Sequence, residues 1–311
     1  MANHSRREFA QKSLLLPLGS IAGDNVSWPS PLLAISSPLP ALLASEARAA
    51  SKASDRKFFE GFKRDQIKTS GATINVVYGG QGSPLLLLHG IPETHVLWRK
   101  VAPALAQNFT LVIADLRGYG DSSKPPGGAD HFAYSKRAMA QDQVEVMEHL
   151  GFRKFAVVGH DRGGRVAHRM ALDHAERLTR LAILDIVPTY KCYQTVSKEF
   201  ATIFFHWFML VQPPPFPETM LGNSAELFLK TMLFRLGGEE PGQGIPQWVE
   251  QAAYNDYLRC FRDPAAIQDL GEDYRAAASI GLAHDAADLS KKIQCPLLVR
   301  EEALPLHVRR P

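Results

Sequence analysis

The chain has 311 residues, of which 45% are hydrophobic and 22% are charged, and its formal net charge is +3. These values fit one soluble globular domain with an elaboration, or two small domains. The positive excess is too small to indicate a nucleic-acid partner. The chain has 3 cysteines without CxxC spacing, a pattern that indicates neither a zinc site nor a disulfide framework.

The first 49 residues are predicted to be a targeting segment. Ser5-Arg6-Arg7-Glu8-Phe9 is a twin-arginine pattern, followed by patchy apolar stretches and by Ala47-Arg48-Ala49, a small-x-small cleavage signal. Prolines interrupt the apolar region, which disfavours a membrane-spanning helix. We expect export to the periplasm, with a mature protein that begins near Ala50 and has no membrane partner. The alternative is a tail that happens to hold two arginines, in a cytoplasmic protein.

From Gln66 onward, strand and helix patterns alternate, which predicts an α/β domain with a mostly parallel sheet. Strands are predicted at 66–69, 73–78, 84–88, 110–114, 155–159, 181–186 and 295–299, and helices at 98–105, 136–150 and 164–172. Residues 50–189 would form the N-terminal part of the core. Residues 190–275, which are aromatic and proline-rich, would form an inserted helical cap. Residues 276–311 would return to the core.

The most informative motif is Gly159-His160-Asp161-Arg162-Gly163, at the end of a short apolar run. It has the G-x-Nuc-x-G layout of a nucleophile elbow, with aspartate where a serine hydrolase has serine. A side chain at Gly159 or Gly163 would collide with the neighbouring backbone. Asp161 is therefore predicted to be a nucleophile. The alternative is that it only caps the following helix.

A carboxylate nucleophile supports a particular reaction. It can displace a leaving group from an sp3 carbon and form an alkyl ester of the enzyme. Water activated by a histidine then hydrolyses that ester, while a second carboxylate orients the histidine. By the geometry of the elbow, the oxyanion would be stabilised by the backbone N–H groups of Ile91 and Arg162.

Four motifs in the same order along the chain resemble those of a known family: His89-Gly90-Ile91-Pro92-Glu93-Thr94, Asp115-Leu116-Arg117-Gly118-Tyr119-Gly120, Gly159-His160-Asp161-Arg162-Gly163-Gly164-Arg165 and Leu184-Asp185-Ile186-Val187-Pro188-Thr189. Together they resemble the α/β-hydrolase superfamily and, within it, the fluoroacetate (haloacetate) dehalogenases, over residues 66–299. The elbow alone is shared with epoxide hydrolases and haloalkane dehalogenases. The resemblance implies no metal, no cofactor and a small anionic substrate such as a haloacetate, and it leaves a homodimer open.

The resemblance also implies roles for residues around the elbow. Asp161 would be the nucleophile and Asp185 the acid that orients the histidine. Arg162 and Arg165 would clamp the substrate carboxylate, which guanidinium groups bind through two hydrogen bonds. From the residues alone, the two arginines could instead lie at the surface near a helix start, and Asp185 could be a solvent-facing turn residue.

In the cap, His206, Trp207 and Tyr257 resemble the donors that receive the departing halide. Imidazole, indole and phenol groups can all donate a hydrogen bond to a small anion. The spacing of His206 and Trp207 among phenylalanines favours core packing on its own. Tyr254 is a near alternative to Tyr257.

The sequence departs from the family pattern after Arg300. The family continues through another helix and strand to its catalytic histidine. Here His307 is the only histidine after the last predicted strand, and the tail is too short for those elements. We therefore expect a core that is truncated at its C-terminus and an enzyme that is inactive or limited to a single turnover.

Two other functions remain open. Epoxide hydrolases protonate the epoxide oxygen with cap tyrosines, for which Tyr190, Tyr193, Tyr254 and Tyr257 are available. A non-catalytic protein that binds a small carboxylate would also explain a missing base. The arginines beside Asp161 favour a small anionic substrate over an epoxide.

Overall fold

The computed structural model describes residues 58–239, 242 and 244–300. The predicted targeting segment, the expected start of the mature protein and His307 lie outside these residues. Within the described ranges, no helix is both long and apolar enough to cross a membrane.

Seven strands form one sheet in the described part of the chain, in the order β1-β2-β4-β3-β5-β6-β7. The strands are β1 Lys63–Lys68, β2 Thr73–Gly80, β3 Ser83–Leu88, β4 Phe109–Ala114, β5 Phe155–His160, β6 Leu178–Leu184 and β7 Leu297–Arg300. β2 pairs antiparallel with β1 and β4, and all other pairs are parallel. The predicted α/β hydrolase architecture with a mostly parallel sheet is confirmed.

Helices flank the sheet and fill the segment between β6 and β7. They are α1 Ala102–Leu105, α2 Lys136–His149, α3 Asp161–Asp173, α4 Thr189–Gln194, α5 Lys198–Ile203, α6 Phe205–Leu210, α7 Phe216–Leu236, α8 Gln251–Phe261, α9 Pro264–Ala278 and α10 Ile280–Ala287. Short 3-10 helices cover His95–Lys100, Phe132–Tyr134 and Ala175–Arg177. The helix predicted over 98–105 is therefore divided into a 3-10 helix and α1.

The central strands set the position of the site. The Leu85–Leu88 part of β3 is buried, as expected for a strand covered on both faces. Leu88 pairs with Gly159 of β5, and His160 at the end of β5 pairs with Leu184 of β6. The loops after β3, β5 and β6 therefore leave the sheet at one edge, where open α/β sheets bind their ligands.

Helices α4 to α9 follow β6 and occupy the region predicted as a cap. α9 packs against α6 and α7, and also against the 3-10 helix Phe132–Tyr134 of the core. α8 packs against α7 and against the 3-10 helix His95–Lys100. The cap helices thus lie against core segments, and the exact domain limits remain a prediction.

Candidate active site

Asp161 lies on the sharp turn between β5 and α3. Its φ of 44° is in the left-handed region that non-glycine residues rarely adopt. A Cβ at Gly159 would clash with the carbonyl of Gly163, and a Cβ at Gly163 would clash with the carbonyl of His89. His160, not Asp161, occupies the N-cap position of α3. The capping alternative for Asp161 is therefore wrong, and the turn has the strained geometry of a nucleophile elbow.

The Asp161 carboxylate is held in its ionised form. The backbone N–H of Ile91 donates to Asp161 Oδ2 at 3.0 Å. Burial alone would raise the pKa of Asp161, but Arg165, His160 and Arg162 lower it below its usual value. Arg162 is the second residue of α3, where backbone N–H groups have no intrahelical partner. Both predicted oxyanion donors thus adjoin the carboxylate, and the bond from Ile91 is formed.

A cavity of about 540 Å³, including its mouth, opens above Asp161. Its polar lining consists of groups from the core and the cap: Asp161, Arg165, Asp185, His206 and Trp207. Its other lining residues are Ile91, Val187, Cys192, Phe200, Phe204, Met232 and Leu236. Five of the side chains predicted to form the site therefore share one largely apolar cavity.

Asp185 follows β6 and also has a positive φ, of 56°. Its side chain is 30% exposed, and its Oδ2 lies 3.9 Å from His160 Nε2. The other ring nitrogen, His160 Nδ1, lies 3.3 Å from Oε2 of the buried Glu93. Burial lowers the pKa of His160, but Glu93, Asp161 and Asp185 outweigh it and raise the pKa to about 9. His160 is therefore a cation beside the nucleophile.

Arg165 is held at the edge of the cavity. It is only 6% exposed, so the surface alternative is wrong for this residue. Its Nη1 donates to the Val187 carbonyl at 2.6 Å and to Thr189 Oγ1 at 3.0 Å. Its guanidinium carbon lies 4.6 Å from the centre of the Trp207 ring, in cation–π geometry. Arg165 Nε is buried without a hydrogen-bond partner in the described part of the chain, so a donor remains for a ligand.

Arg162 is placed differently. It is completely buried and forms an ion pair of 2.7 Å with Asp273. Its guanidinium carbon lies 4.2 Å from the centre of the Tyr274 ring. It is not among the residues that line the cavity, yet its charge lowers the pKa of Asp161. The surface alternative is wrong here too, and Arg162 acts on Asp161 through its charge without lining the cavity.

His206 and Trp207 lie on α6, and each is 4% exposed. Trp207 packs against the rings of Tyr193 and Phe200, at centroid distances of 5.5 and 5.7 Å. Burial lowers the pKa of His206 to about 3, so its imidazole is neutral. His206 Nδ1 is buried and has no hydrogen-bond partner within the described ranges. His206 and Trp207 therefore pack in the cap and also line the cavity.

The structure does not bring Tyr257 to this pair. Tyr257 is almost fully buried on α8, where burial and then Glu93 raise its pKa while Arg99 lowers it. Tyr254 also lies elsewhere, since its hydroxyl donates to Glu226 Oε1 at 3.2 Å. The reason is that α8 faces the 3-10 helix His95–Lys100, whereas α9 faces α6.

The tyrosine that contacts both residues is Tyr274, on α9. Its ring centre lies 5.8 Å from that of His206 and 6.1 Å from that of Trp207. Burial raises the pKa of Tyr274, and Arg162 and Asp161 are among the charges that act on it. Sequence reasoning missed Tyr274 because helical spacing does not indicate which face of α9 meets α6.

Within the described ranges, no group of three or more His, Cys, Asp or Glu residues could hold a metal ion. The polar groups at the cavity are one carboxylate on the elbow, a second carboxylate beyond it, guanidinium groups and neutral ring donors. Such a set suits attack by a carboxylate on a carbon whose leaving group departs as an anion.

This sheet, with an acidic elbow and helices inserted after β6, defines the class of α/β hydrolases. A sequence profile of the alpha/beta hydrolase fold matches residues 83–278, which is more than half of the chain. The chain therefore belongs to the α/β hydrolase family.

Several known proteins are similar to this chain within that family. A fluoroacetate dehalogenase of Burkholderia sp is 48% identical over 241 residues, which cover 78% of each chain. A soluble epoxide hydrolase of Corynebacterium sp. (strain C12) is 34% identical over 237 residues, or 75% of this chain and 78% of the relative. A solved structure from Nostoc sp PCC 7120 has a TM-score of 0.74 and 52% identity, covering 78% of this chain and 81% of that one.

Proposed function

We propose that the protein is a haloacetate dehalogenase-type hydrolase that acts on small 2-halo carboxylic acids. The observation that carries this proposal is the arrangement of the cavity. Asp161 shares the cavity with a guanidinium group, from Arg165, and with the ring donors of His206 and Trp207. The similarity to a fluoroacetate dehalogenase supports the same reaction.

In the first step, an oxygen of the Asp161 carboxylate attacks the carbon that bears the halogen. A carbon–oxygen bond forms, the carbon–halogen bond breaks, and the halide leaves with the electron pair. Arg165 and Arg162 attract the substrate carboxylate and orient the carbon towards Asp161. His206, Trp207 and Tyr274 lie together on the cap side, where their N–H and O–H groups would donate to the leaving halide. The role first expected for Tyr257 thus passes to Tyr274.

In the second step, water hydrolyses the ester and releases a 2-hydroxy acid, provided that a base accepts the proton of the water. Asp185 would orient such a base. His160 contacts Asp185, but its pKa of about 9 keeps it protonated at neutral pH. A protonated imidazole cannot accept the proton. We therefore propose that ester hydrolysis is slower than ester formation, so that the ester accumulates.

Intact-mass spectrometry after incubation with chloroacetate tests this function. We expect the mass to increase by one carboxymethyl group, located on Asp161 by peptide analysis, with release of one chloride per chain. Asp161→Asn is the control and should show neither the adduct nor chloride. Chloride release that persists in Asp161→Asn would reject the assignment.

An epoxide hydrolase is the second candidate, and one observation favours it. The hydroxyl of Tyr193 is buried without a hydrogen-bond partner in the described part of the chain, and its ring contacts Trp207. A phenol in this position could protonate an epoxide oxygen. Faster turnover of styrene oxide than of any haloacetate would reverse the ranking. Binding of acetate without reaction towards either substrate would indicate a non-catalytic binding protein.

A further inference from the structure

The guanidinium group of Arg162 is held by one buried residue, Asp273. Asp273 binds two of the three guanidinium nitrogens. Nε donates to Asp273 Oδ2 at 2.8 Å, and Nη2 donates to the Asp273 backbone carbonyl at 3.0 Å. Nη1 is buried and has no hydrogen-bond partner in the described part of the chain. A buried guanidinium donor without a partner is costly, so Nη1 is the donor of Arg162 that is available to a ligand.

Asp273 is itself shared between two basic groups, Arg162 and Lys136, and burial together with the charge of Arg162 lowers the pKa of Lys136 to about 7. Lys136 Nζ forms an ion pair with Asp273 Oδ1, and the Tyr119 hydroxyl donates to Oδ2 at 2.6 Å. Burial would raise the pKa of Asp273, but Arg162 and Lys136 lower it well below its usual value. One carboxylate therefore faces two basic groups. Its negative charge is divided between them and does not cancel the charge of Arg162 alone.

A second buried arginine in the same protein shows the contrast. Arg117 donates through Nε and Nη2 to the two oxygens of Asp142, at 2.6 and 2.7 Å. Its Nη1 donates to the Ala133 carbonyl at 2.7 Å. All three nitrogens of Arg117 are thus bonded within the protein, as expected for a structural ion pair. Arg162 has a similar carboxylate contact, but its Nη1 has no hydrogen-bond partner in the described part of the chain.

The orientation of Arg162 also relates it to the cavity. Its guanidinium lies over the ring of Tyr274, which contacts both His206 and Trp207. Its charge acts on Asp161 and on His206, both of which line the cavity. A guanidinium in this position, with one donor available, attracts an anion towards the nucleophile.

We propose that Asp273 is a positioning residue that, together with Lys136 and Tyr119, fixes Arg162 so that Nη1 and its remaining charge select a carboxylate ligand. This role of Asp273 rests on the proposed function in one respect, namely that the ligand is a small carboxylate. It concerns recognition of the anion and does not require that the halide be displaced.

The test compares the binding of acetate with that of acetamide, a neutral ligand of similar shape, through the concentration dependence of the melting temperature. We expect the wild-type chain to prefer acetate. Asp273→Asn should reduce this preference about tenfold, because Arg162 loses the anchor that orients Nη1. Removal of a negative charge alone would instead increase the preference for acetate, and such an increase would overturn the inference. Tyr119→Phe leaves all charges in place and should reduce it less, about threefold, because one hydrogen bond is lost.

Asp142→Asn is the matched control, since it weakens an equally buried arginine–aspartate pair away from the cavity. It should lower the melting temperature without changing the preference for acetate. An unchanged preference in folded Tyr119→Phe and Asp273→Asn, or an equal loss in Asp142→Asn, would overturn the inference. So would a wild-type chain that binds the two ligands equally. Failure of the proposed function is recognised separately, as a chain that prefers acetate but forms no ester with chloroacetate.

Discussion

The two walls of the cavity carry polar groups of different kinds. The core wall, formed by Asp161, Arg165 and Asp185, carries carboxylate and guanidinium groups. It adjoins His160, whose pKa is raised to about 9, and the neighbouring charges lower the pKa of Asp161. The cap wall, formed by His206 and Trp207, is neutral, because burial lowers the pKa of His206 to about 3. In the proposed reaction the Asp161 carboxylate on the core wall loses its negative charge as it becomes an ester. The negative charge then appears on the halide at the cap wall. The core wall should therefore control attack, and the cap wall should control the departure of the halide.

The largest effect is expected from removing the charge of the nucleophile. Asp161→Asn should lower ester formation from chloroacetate at least about a thousandfold, because an amide does not displace the halide. Asparagine tolerates the left-handed backbone conformation, so the melting temperature should stay close to that of the wild type. Mass spectrometry and thermal unfolding measure the two quantities. Ester formation at a similar rate would show that another group attacks.

A change in the cap wall should depend on the leaving group. His206→Gln should slow displacement about a hundredfold with fluoroacetate, since fluoride needs donors where charge develops. The loss should be smaller with bromoacetate, because bromide leaves readily. His149→Gln, on the exposed end of α2, is the control and should change neither rate. An equal loss with both substrates would mean that His206 acts on the attack and not on the halide.

Two buried tyrosines form a matched pair for locating the third donor. Tyr274→Phe should lower the rate with fluoroacetate about tenfold, because it removes one hydroxyl from the group that includes His206 and Trp207. Tyr257→Phe, which removes a hydroxyl beside Glu93 and Arg99, should leave that rate unchanged. Halide release measures both. The reverse order of effects would restore the assignment that the sequence suggested.

The two histidines should also give the walls opposite pH dependences of stability. The native state raises the pKa of His160 from 6.5 to about 9, so its contribution is complete below 6.5 and is lost as the pH rises through about 9. It lowers the pKa of His206 from 6.5 to about 3, so that contribution is complete above 6.5 and is lost as the pH falls towards about 3. In a plot of melting temperature against pH, His160→Gln should flatten the alkaline side. His206→Gln should flatten the acid side. Melting temperatures should change by a few degrees. Parallel profiles for both variants and the wild type would contradict these assignments.

The core wall could be predicted from the sequence far better than the cap wall. Gly159, Asp161 and Gly163 are close in the chain, and their spacing between a strand and a helix determines the turn. Parallel pairing then brings Asp185 to the same edge. The cap residues depend instead on how separate helices pack against each other, which no local pattern records. For this reason the sequence indicates Tyr257, with Tyr254 as its alternative, whereas Tyr274 is the tyrosine that contacts His206 and Trp207. The ion pair of Arg162 with Asp273 and the charge of His160 likewise depend on contacts that the sequence does not record.

The positive φ angles of Asp161 and Asp185, 44° and 56°, have an evolutionary consequence. Each strained position costs about 1–3 kcal/mol, which the rest of the fold must offset. Glycine would adopt either conformation without this cost. Mutations that remove an acidic side chain here can therefore relax the backbone, so selection for thermal tolerance alone would favour sequences that lose the reaction. Retention of both acids under mutational drift requires selection on the chemistry itself.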